Sequence, residues 1–316
     1  MHARILRRGL WAGAAVALGF AGCNDSTSPA KYVPNKANGQ YIVEHVSDCG
    51  GCHSQTDDMG RPIQGLEYAG GVRFDVPPFG AVYTRNITPD PRTGIGLWTD
   101  QEIIDAFRTG KAPDFTRAPG KLFPIMPYWL FGHMSDNDAH DVVAFLRSLP
   151  AVHNVVKDDS IPESARITWP LQEGIPDATP AGDQTRRGKY LVSLGGCIEC
   201  HTPLNAERAH PELPGVDLSI FLAGGREFDL GPLGIVHTKN ITPDAATGIG
   251  SWTPVQIDSA LAFGYDEKRT PLCPPMPWPA YQGMAKSDRD AIIAYLRGIP
   301  PINHSVPEDS TNCPPH

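Results

Sequence analysis

The sequence of 316 residues lacks any dense block of lysine or arginine, and its net charge at pH 7 is −8. Proteins that bind nucleic acid usually concentrate basic residues on one face, so no nucleic-acid partner is expected. Strand signals are weak, whereas glycine and proline number 32 each. This composition predicts long, turn-rich loops around a core that is not made of protein side chains alone.

A convincing membrane-spanning run is also lacking. The apolar run 9–20 follows three arginines and is shorter than the roughly 20 residues that a spanning helix needs. This pattern predicts an export signal over residues 1–22. The small residues before Cys23 resemble the bacterial lipoprotein signal, which implies a lipid on Cys23 and a place on the periplasmic side of a bacterial membrane. The alternative is ordinary cleavage nearby with a free Cys23.

The sequence repeats itself with an offset near 150 residues, which indicates a duplicated domain. The motif GQYIV at 39–43 returns as GKYLV at 188–192, NITPD at 86–90 returns at 240–244, and AFLRSLP at 144–150 returns as AYLRGIP at 294–300. The predicted organisation is a tether over 23–36, a first repeat over 37–152, a linker over 153–182 and a second repeat over 183–316.

The coarse secondary structure is predicted to be helical. Capping residues, apolar spacing of three and four, and terminating prolines are typical of helices, and Thr99 and Thr253 are predicted N-caps. The predicted helices cover 39–48, 99–108, 135–149, 188–194, 253–263 and 287–299.

The pattern Cys-x-x-Cys-His occurs twice and is the attachment signal for c-type haem. Two thiols three positions apart on a helical turn can add to the two vinyl groups of one haem, and the next histidine can then bind the iron. A redox disulfide does not need that histidine, and a zinc site needs further nearby ligands that neither repeat supplies. Two covalently bound haem c groups are therefore expected, on Cys49, Cys52 and His53 and on Cys197, Cys200 and His201.

The second axial ligand of each iron is predicted to be methionine. Met126 and Met276 lie 73 and 75 residues after their histidines, each directly before a proline. A proline-braced loop can hold a thioether towards an iron. The fallback pair is Met134 and Met284, which match each other at the start of the last helix, where a buried methionine usually serves packing.

These motifs and the two helix ends resemble class I cytochromes c. The resemblance implies an all-α fold of two tandem cytochrome c domains, in which the last helix crosses the helix beginning near Gly39 or Gly188. Tyr41 and Tyr190 would be structural residues near those crossings. The longer stretch from NITPD to the tryptophan resembles the cytochrome c subunits of membrane-associated periplasmic dehydrogenases, but those subunits commonly carry three haem motifs and this chain has two.

Two occupied axial positions leave no open site on the iron, which favours outer-sphere transfer of single electrons and requires no catalytic residue. The expected partners are redox proteins: a dehydrogenase as donor and an oxidase or cytochrome as acceptor. The alternative is a dihaem enzyme, a peroxidase or a sulfur-compound dehydrogenase, with one exchangeable axial site.

Two further expectations concern the loops. Polar groups beside the NITPD motifs are candidates to bind haem propionates, with plain loop packing as the alternative: Arg85, Asn86, Trp98, Lys239, Asn240 and Trp252. Cys273 and Cys313 are expected to form a disulfide if the chain is exported to an oxidising compartment.

Overall fold

A computed structural model describes residues 32–57, 61–113, 122–162, 183–203 and 217–311. The predicted export signal, Cys23, most of the predicted linker and Cys313 lie outside the described residues. Within the described part of the chain, no helix is long and apolar enough to cross a membrane.

The helices follow the same order in both repeats. The first repeat contains α1 (Lys36–Tyr41), a π-helical turn (Ile42–Val46), α2 (Cys49–His53), α3 (Asp100–Thr109), α4 (Tyr128–Phe131) and α5 (Asp136–Leu146). The second contains α6 (Gln184–Leu194), α7 (Cys197–His201), 3₁₀ turns at Leu218–Ile220 and Gly231–Leu233, α8 (Pro254–Phe263), α9 (Trp278–Tyr281) and α10 (Lys286–Gly298).

The helix starts follow from their caps. Thr99 caps α3 and Thr253 caps α8 as predicted, each in a reciprocal capping box with the residue three positions on. Ser135 caps α5. The predicted starts of the first helix in each repeat were wrong. The α1 helix begins at Lys36 rather than Gly39, because the Asn35 side chain accepts hydrogen bonds from the backbone and caps it. The α6 helix begins at Gln184 rather than Gly188, because the carboxylate of Asp183 accepts a hydrogen bond from the backbone of Arg186.

Glycine permits the close crossing of the first and last helices in each repeat. A Cβ added to Gly39 would lie 1.8 Å from the carbonyl oxygen of Asp141 in α5, and one added to Gly188 would lie 2.0 Å from that of Ala291 in α10. Any larger side chain would therefore separate the helices. The crossings that the cytochrome c resemblance implied are present, with α1 against α5 and α6 against α10.

The repeats differ by one residue between the tyrosine and the cysteine motif. Eight positions separate Tyr41 from Cys49, and seven separate Tyr190 from Cys197. The first repeat accommodates the extra residue in the wide turn Ile42–Val46, which a hydrogen bond from the backbone of Ser47 to the carbonyl of Ile42 closes at 2.8 Å. Such an i→i+5 bond defines a π-helical turn.

The prediction of an all-α fold was incomplete, because short antiparallel hairpins lie in the long loops. Strands β1 (Arg73–Val76) and β2 (Gly80–Tyr83) pair in the first repeat, and β3 (Glu227–Asp229), β4 (Gly234–His237) and β5 (Ser310–Thr311) form a sheet in the second. None exceeds four residues, which is too short for an alternating pattern to be recognised in the sequence.

The described residues from 34 onwards form one compact unit, and the two repeats contact each other within it. Apolar side chains of α1, α4 and α5 belong to the same buried cluster as those of α6, α9 and α10. The hydroxyl of Tyr41 donates to Asp288 at 2.7 Å, and that of Tyr190 donates to Asp138 at 2.5 Å. These tyrosines therefore join the repeats, beyond the local structural role that the sequence suggested.

Candidate functional site

Each cysteine motif forms a one-turn helix that starts from a left-handed residue. Asp48 has φ 44° before α2, and Gly196 has φ 70° before α7. The Asp48 carboxylate accepts a hydrogen bond from the backbone of Gly51 and caps α2. The four cysteines of the two motifs are free thiols, Cys49, Cys52, Cys197 and Cys200. They are therefore available for thioether bonds.

A backbone carbonyl orients each histidine of the motifs. Nδ1 of His53 lies 2.7 Å from the carbonyl oxygen of Arg85, and Nδ1 of His201 lies 2.7 Å from that of Lys239. Because a carbonyl only accepts hydrogen bonds, Nδ1 carries the proton in both rings. Nε2 then keeps its lone pair, which is the form that binds a metal.

Burial lowers the pKa of both histidines, although the hydrogen bonds to the carbonyls of Arg85 and Lys239 oppose it. The rings are therefore neutral at pH 7. Burial also raises the pKa of Cys49 and Cys197 to about 12 and that of Cys52 and Cys200 to about 11. Free thiols at these positions are thus protonated at pH 7.

A glycine fixes each orienting carbonyl. Gly70 has φ +70°, donates its backbone N–H to the carbonyl of His53 at 2.7 Å, and packs so tightly that a Cβ would lie 2.4 Å from the carbonyl carbon of Arg85. Gly224 makes the same two contacts with His201 and Lys239. Sequence reasoning missed this arrangement, although the duplicated NITPD motif directly after each carbonyl signals a fixed loop.

The NITPD loops are held by an asparagine whose amide is fully used. Asn86 is buried and donates to the Thr93 hydroxyl and to the carbonyl of Val152, while its oxygen accepts from the backbone and hydroxyl of Thr88. Asn240 makes the matching bonds in the second repeat. The predicted propionate role of both asparagines is therefore wrong, and loop packing is their role.

Arg85 and Lys239, the two basic residues predicted to bind haem propionates, each lie near a carboxylate of the protein. The guanidinium of Arg85 lies 3.7 Å from Asp159, and Nζ of Lys239 lies 2.8 Å from Asp309. What these residues contribute to the site is the backbone carbonyl. The indoles of Trp98 and Trp252 are partly buried against the core, and their propionate role stays a prediction.

A cavity of about 660 Å³ lies beside α2, and the candidate haem ligands of the first repeat line it. Its walls include Cys49, Cys52, His53, Met126 and Trp98. This volume lies in the range of about 300–1,000 Å³ that is usual for cofactor sites. The Ser47 hydroxyl on its wall is buried and has no hydrogen-bond partner among the residues that the structure describes, which fits a site that an occupant with polar groups completes. The donor set, the size and the orphaned hydroxyl all fit a haem.

The structure separates the two candidate methionine pairs by burial. Met126 is partly buried at the end of a turn that its backbone N–H closes onto Phe123, and Met276 has the same partial burial. Met134 and Met284 are only 3% exposed and belong to the protein core. Met134 also lines the cavity. A partly buried side chain on a loop can still contact a bound haem iron, whereas a side chain packed in the core cannot do so without moving. Met126 and Met276 therefore remain the proposed ligands.

The two cysteine motifs approach each other where the repeats meet. A Cβ built on Gly195 would lie 3.5 Å from the carbonyl oxygen of Val46, and these residues lie two and three positions before the motif helices that begin at Cys197 and Cys49. Burial is the main cause of the raised pKa of Cys52, and the charges of Asp48 and of Glu199 from the other repeat add to it. The two candidate sites are therefore neighbours.

Cys273 lies three positions before Met276 and is disulfide-bonded. Its predicted partner, Cys313, lies outside the described residues, so the pairing itself stays a prediction.

Fold and site define a protein that holds a c-type haem, and the comparisons agree. The family model for cytochrome c matches residues 37–150. A dihaem cytochrome c-type of Cereibacter sphaeroides is 32% identical over 94% of this chain and 100% of its own length. The chain belongs to the cytochrome c family, whose members bind haem c covalently.

Subunits of dehydrogenases are similar to the chain as well. The cytochrome c subunit of a quinone alcohol dehydrogenase from Gluconobacter oxydans is 31% identical over 84% of this chain and 54% of its own length. That of gluconate 2-dehydrogenase from Pantoea cypripedii is 29% identical over 83% of the chain and 58% of its own length. The chain thus spans a little over half of these subunits.

Proposed function

We propose that the chain is a dihaem c-type cytochrome that takes single electrons from a dehydrogenase partner and passes them to an oxidase or another cytochrome. Haem iron that changes oxidation state between two fixed axial ligands supplies the electron chemistry. The protein works on the periplasmic side of a bacterial membrane, held by a lipid on Cys23. The names of its relatives, cytochrome subunits of alcohol and gluconate dehydrogenases, support a dehydrogenase as donor.

Eight side chains are proposed to hold the two haems. The thioether bonds form on two cysteines of each repeat, and a histidine and a methionine bind each iron: Cys49, Cys52, His53 and Met126 in the first repeat, and Cys197, Cys200, His201 and Met276 in the second.

The observation that carries this proposal is the pair of equivalent hydrogen bonds on the histidines. In both rings the protonated Nδ1 donates a hydrogen bond to a backbone carbonyl oxygen at 2.7 Å, which fixes the ring. Such a bond sets the ring orientation and strengthens the ring as a metal ligand. Its presence in both repeats favours two haems that serve the same kind of chemistry. The adjacency of the motif helices allows electrons to pass between them within one chain.

Optical spectra of the purified protein, oxidised and reduced, with a quantified haem count and added carbon monoxide test the proposal. We expect two low-spin haems per chain and no binding of carbon monoxide. One native haem that is high-spin or binds carbon monoxide would contradict the carrier function at that site and favour the alternative, a dihaem enzyme with an exchangeable axial position.

Methionine variants identify the ligands. Met126→Ala and Met276→Ala should each make one haem per chain bind carbon monoxide. The matched controls Met134→Ala and Met284→Ala should lower the free energy of unfolding by about 2–5 kcal/mol, as truncations of buried methionine do. Neither control should make a haem bind carbon monoxide. Opening of a haem by a control, but not by its loop counterpart, would reverse the assignment in that repeat.

A further inference from the structure

The two haem attachment motifs each have one acidic residue, but at different positions. Asp48 directly precedes the first motif, where the second repeat has Gly196. Glu199 lies inside the second motif, where the first repeat has Gly51. The duplicated fold therefore requires neither acid at its position, and the two candidate sites differ in the charge beside them.

The Asp48 carboxylate packs directly against the first motif helix. Asp48 has φ 44° where Gly196 has φ 70°, a conformation that glycine adopts at no steric cost and aspartate less easily. The carboxylate accepts a hydrogen bond from the backbone of Gly51 at 3.2 Å, and a Cβ added to Gly51 would lie 2.3 Å from a carboxylate oxygen. Asp48 also lines the first cavity, so its charge lies on the wall of the space proposed for the first haem.

Only the acid of the second motif faces a cation. The guanidinium of Arg226 lies 3.8 Å from the carboxylate of Glu199 and donates a hydrogen bond to its backbone carbonyl at 2.8 Å. Val72 takes the place of Arg226 in the first repeat, and the backbone N–H of each donates to the hydroxyl of a matching threonine. Asp48 makes no ion pair with any residue that the structure describes. Its charge is therefore not compensated by a neighbouring side chain.

Among the residues that the structure describes, the other charged side chains on the wall of the first cavity balance each other. They are two cations, Arg85 and Arg92, and two acids, Asp158 and Asp159. Arg85 lies 3.7 Å from Asp159, while Arg92 and Asp158 are exposed, so that water and salt screen their charges. Asp48 is partly buried and therefore adds a net negative charge to this cavity.

The influence of each acid is visible at the thiols of its own motif. Burial is the main cause of the raised pKa of Cys49 and Cys52, and the charge of Asp48 is the next cause at both. At Cys200, burial and the charge of Glu199 raise the pKa, while the nearby guanidinium lowers it. Burial raises the pKa of Asp48 itself to about 6, so its carboxylate is ionised at pH 8.

We propose that the charge of Asp48 lowers the reduction potential of the first haem below that of the second, so that electrons pass from the first repeat to the second. The inference rests on the proposed function, since it requires a haem in each repeat. Oxidation adds a positive charge to the iron, and a nearby uncompensated anion stabilises that charge. In the internal step the first iron is oxidised from Fe(II) to Fe(III) and the second is reduced from Fe(III) to Fe(II). One electron moves, and no bond or proton changes place.

Redox titration of the full-length, haem-loaded protein at pH 8, followed by optical spectra, tests the proposal. Asp48→Asn removes the charge and keeps the cap, because asparagine also caps helices and tolerates a left-handed conformation. Asp48→Gly gives the first motif the residue of the second and removes both charge and cap. Asp158→Asn is the matched control, since it makes the same chemical change at an exposed acid on the same cavity wall.

We expect two one-electron transitions in the parent protein, of which the lower belongs to the first haem. Asp48→Asn and Asp48→Gly should both raise the lower potential by about 59 mV, which is about a tenfold change in a one-electron equilibrium. The higher potential should change much less, so that the gap narrows. Asp158→Asn should shift either potential much less than the Asp48 variants do, because solvent screens an exposed charge.

Several outcomes would overturn the proposal. They are coincident transitions in the parent protein, a shift of the higher potential by Asp48→Asn, no shift at all, and an equal shift in Asp158→Asn. A shift in Asp48→Gly alone would attribute the effect to the cap and not to the charge. Failure of the proposed function has a different signature: the parent chain would then hold fewer than two redox-active haems, or one of its haems would bind carbon monoxide.

Discussion

The hydroxyl of Tyr41 donates a hydrogen bond to Asp288 across the boundary between the repeats, at 2.7 Å, and accepts one from the backbone of Ala285. Tyr190 makes the same pair of bonds in the other direction, to Asp138 and from the backbone of Ser135. The contact is therefore reciprocal, as in a two-fold interface. It joins α1 to the start of α10 and α6 to the start of α5.

Removal of these hydroxyls should weaken the contact unequally. Tyr190→Phe should cost about 1.5–3 kcal/mol of unfolding free energy, as the loss of a hydrogen bond to a charged group does, because the Asp138 oxygen it leaves is buried. Tyr41→Phe should cost less, since Arg187 still donates to both oxygens of Asp288. Urea unfolding of the haem-loaded protein measures both.

The control for these variants is Tyr295→Phe. The Tyr295 ring packs against the core, and its hydroxyl makes no hydrogen bond with the residues that the structure describes. This substitution should change stability by less than about 0.5 kcal/mol. Equal losses at all three positions would mean that the cross-repeat bonds contribute nothing specific.

The same contact should make stability fall in acid. Burial raises the pKa of Asp288, but hydrogen bonds from Arg187 and Tyr41 outweigh it and leave the pKa below its ordinary value. A carboxyl whose pKa is lower in the folded state stabilises the protein above its unfolded pKa of about 3.9, and this contribution is lost as pH falls through the folded pKa.

Unfolding measured from pH 6 to pH 3 should therefore show a smaller acid-induced loss for Asp288→Asn than for the parent protein. The variant is less stable at pH 6, because Arg187 loses its charged partner, and the two curves should converge below about pH 4. Parallel curves would show that Asp288 does not titrate with folding.

The sequence identified the haem attachment motifs but not the backbone groups that orient their histidines. Cys-x-x-Cys-His is a local pattern whose spacing alone defines a haem attachment, and the resemblance to class I cytochromes c implied the helix crossings near Gly39 and Gly188. The carbonyls of Arg85 and Lys239 could not be identified in this way, because every residue has a carbonyl and only the fold selects one.

Other features of the structure also depend on tertiary contacts that the sequence does not reveal. Asn86 was a candidate to bind a haem propionate because an amide donor suits a buried carboxylate. Its four hydrogen bonds instead join it to its own loop and to Val152, 66 residues away. The bridge from Tyr41 to Asp288 spans 247 residues. The extra residue before Cys49 is visible in the sequence, but whether it forms a bulge or a π-helical turn depends on packing.

The first helix crossing gives a sharp test of packing. Gly39→Ala would place a Cβ 1.8 Å from the Asp141 carbonyl, so α1 and α5 must separate. We expect a loss of about 1–3 kcal/mol or more in unfolding free energy, as for overpacked cores. Gly298→Ala is the control: the space around its Cβ is open, and an alanine near the end of α10 should be neutral or stabilising by up to about 1 kcal/mol.

Displacement of the carbonyl that orients His53 should change the reduction potential of the first haem site without affecting that of the second. Gly70→Ala would place a Cβ 2.4 Å from the carbonyl carbon of Arg85 and displace the acceptor of the Nδ1 proton. A histidine without that hydrogen bond is a weaker donor to iron, so the reduction potential of the first site should rise while that of the second stays unchanged. Redox titration followed by optical spectra resolves the two. Gly65→Ala controls for backbone strain, because Gly65 also has a positive φ of +85° but has nothing within 4 Å of its Cβ. A similar shift in both variants would attribute the effect to strain and not to the lost hydrogen bond.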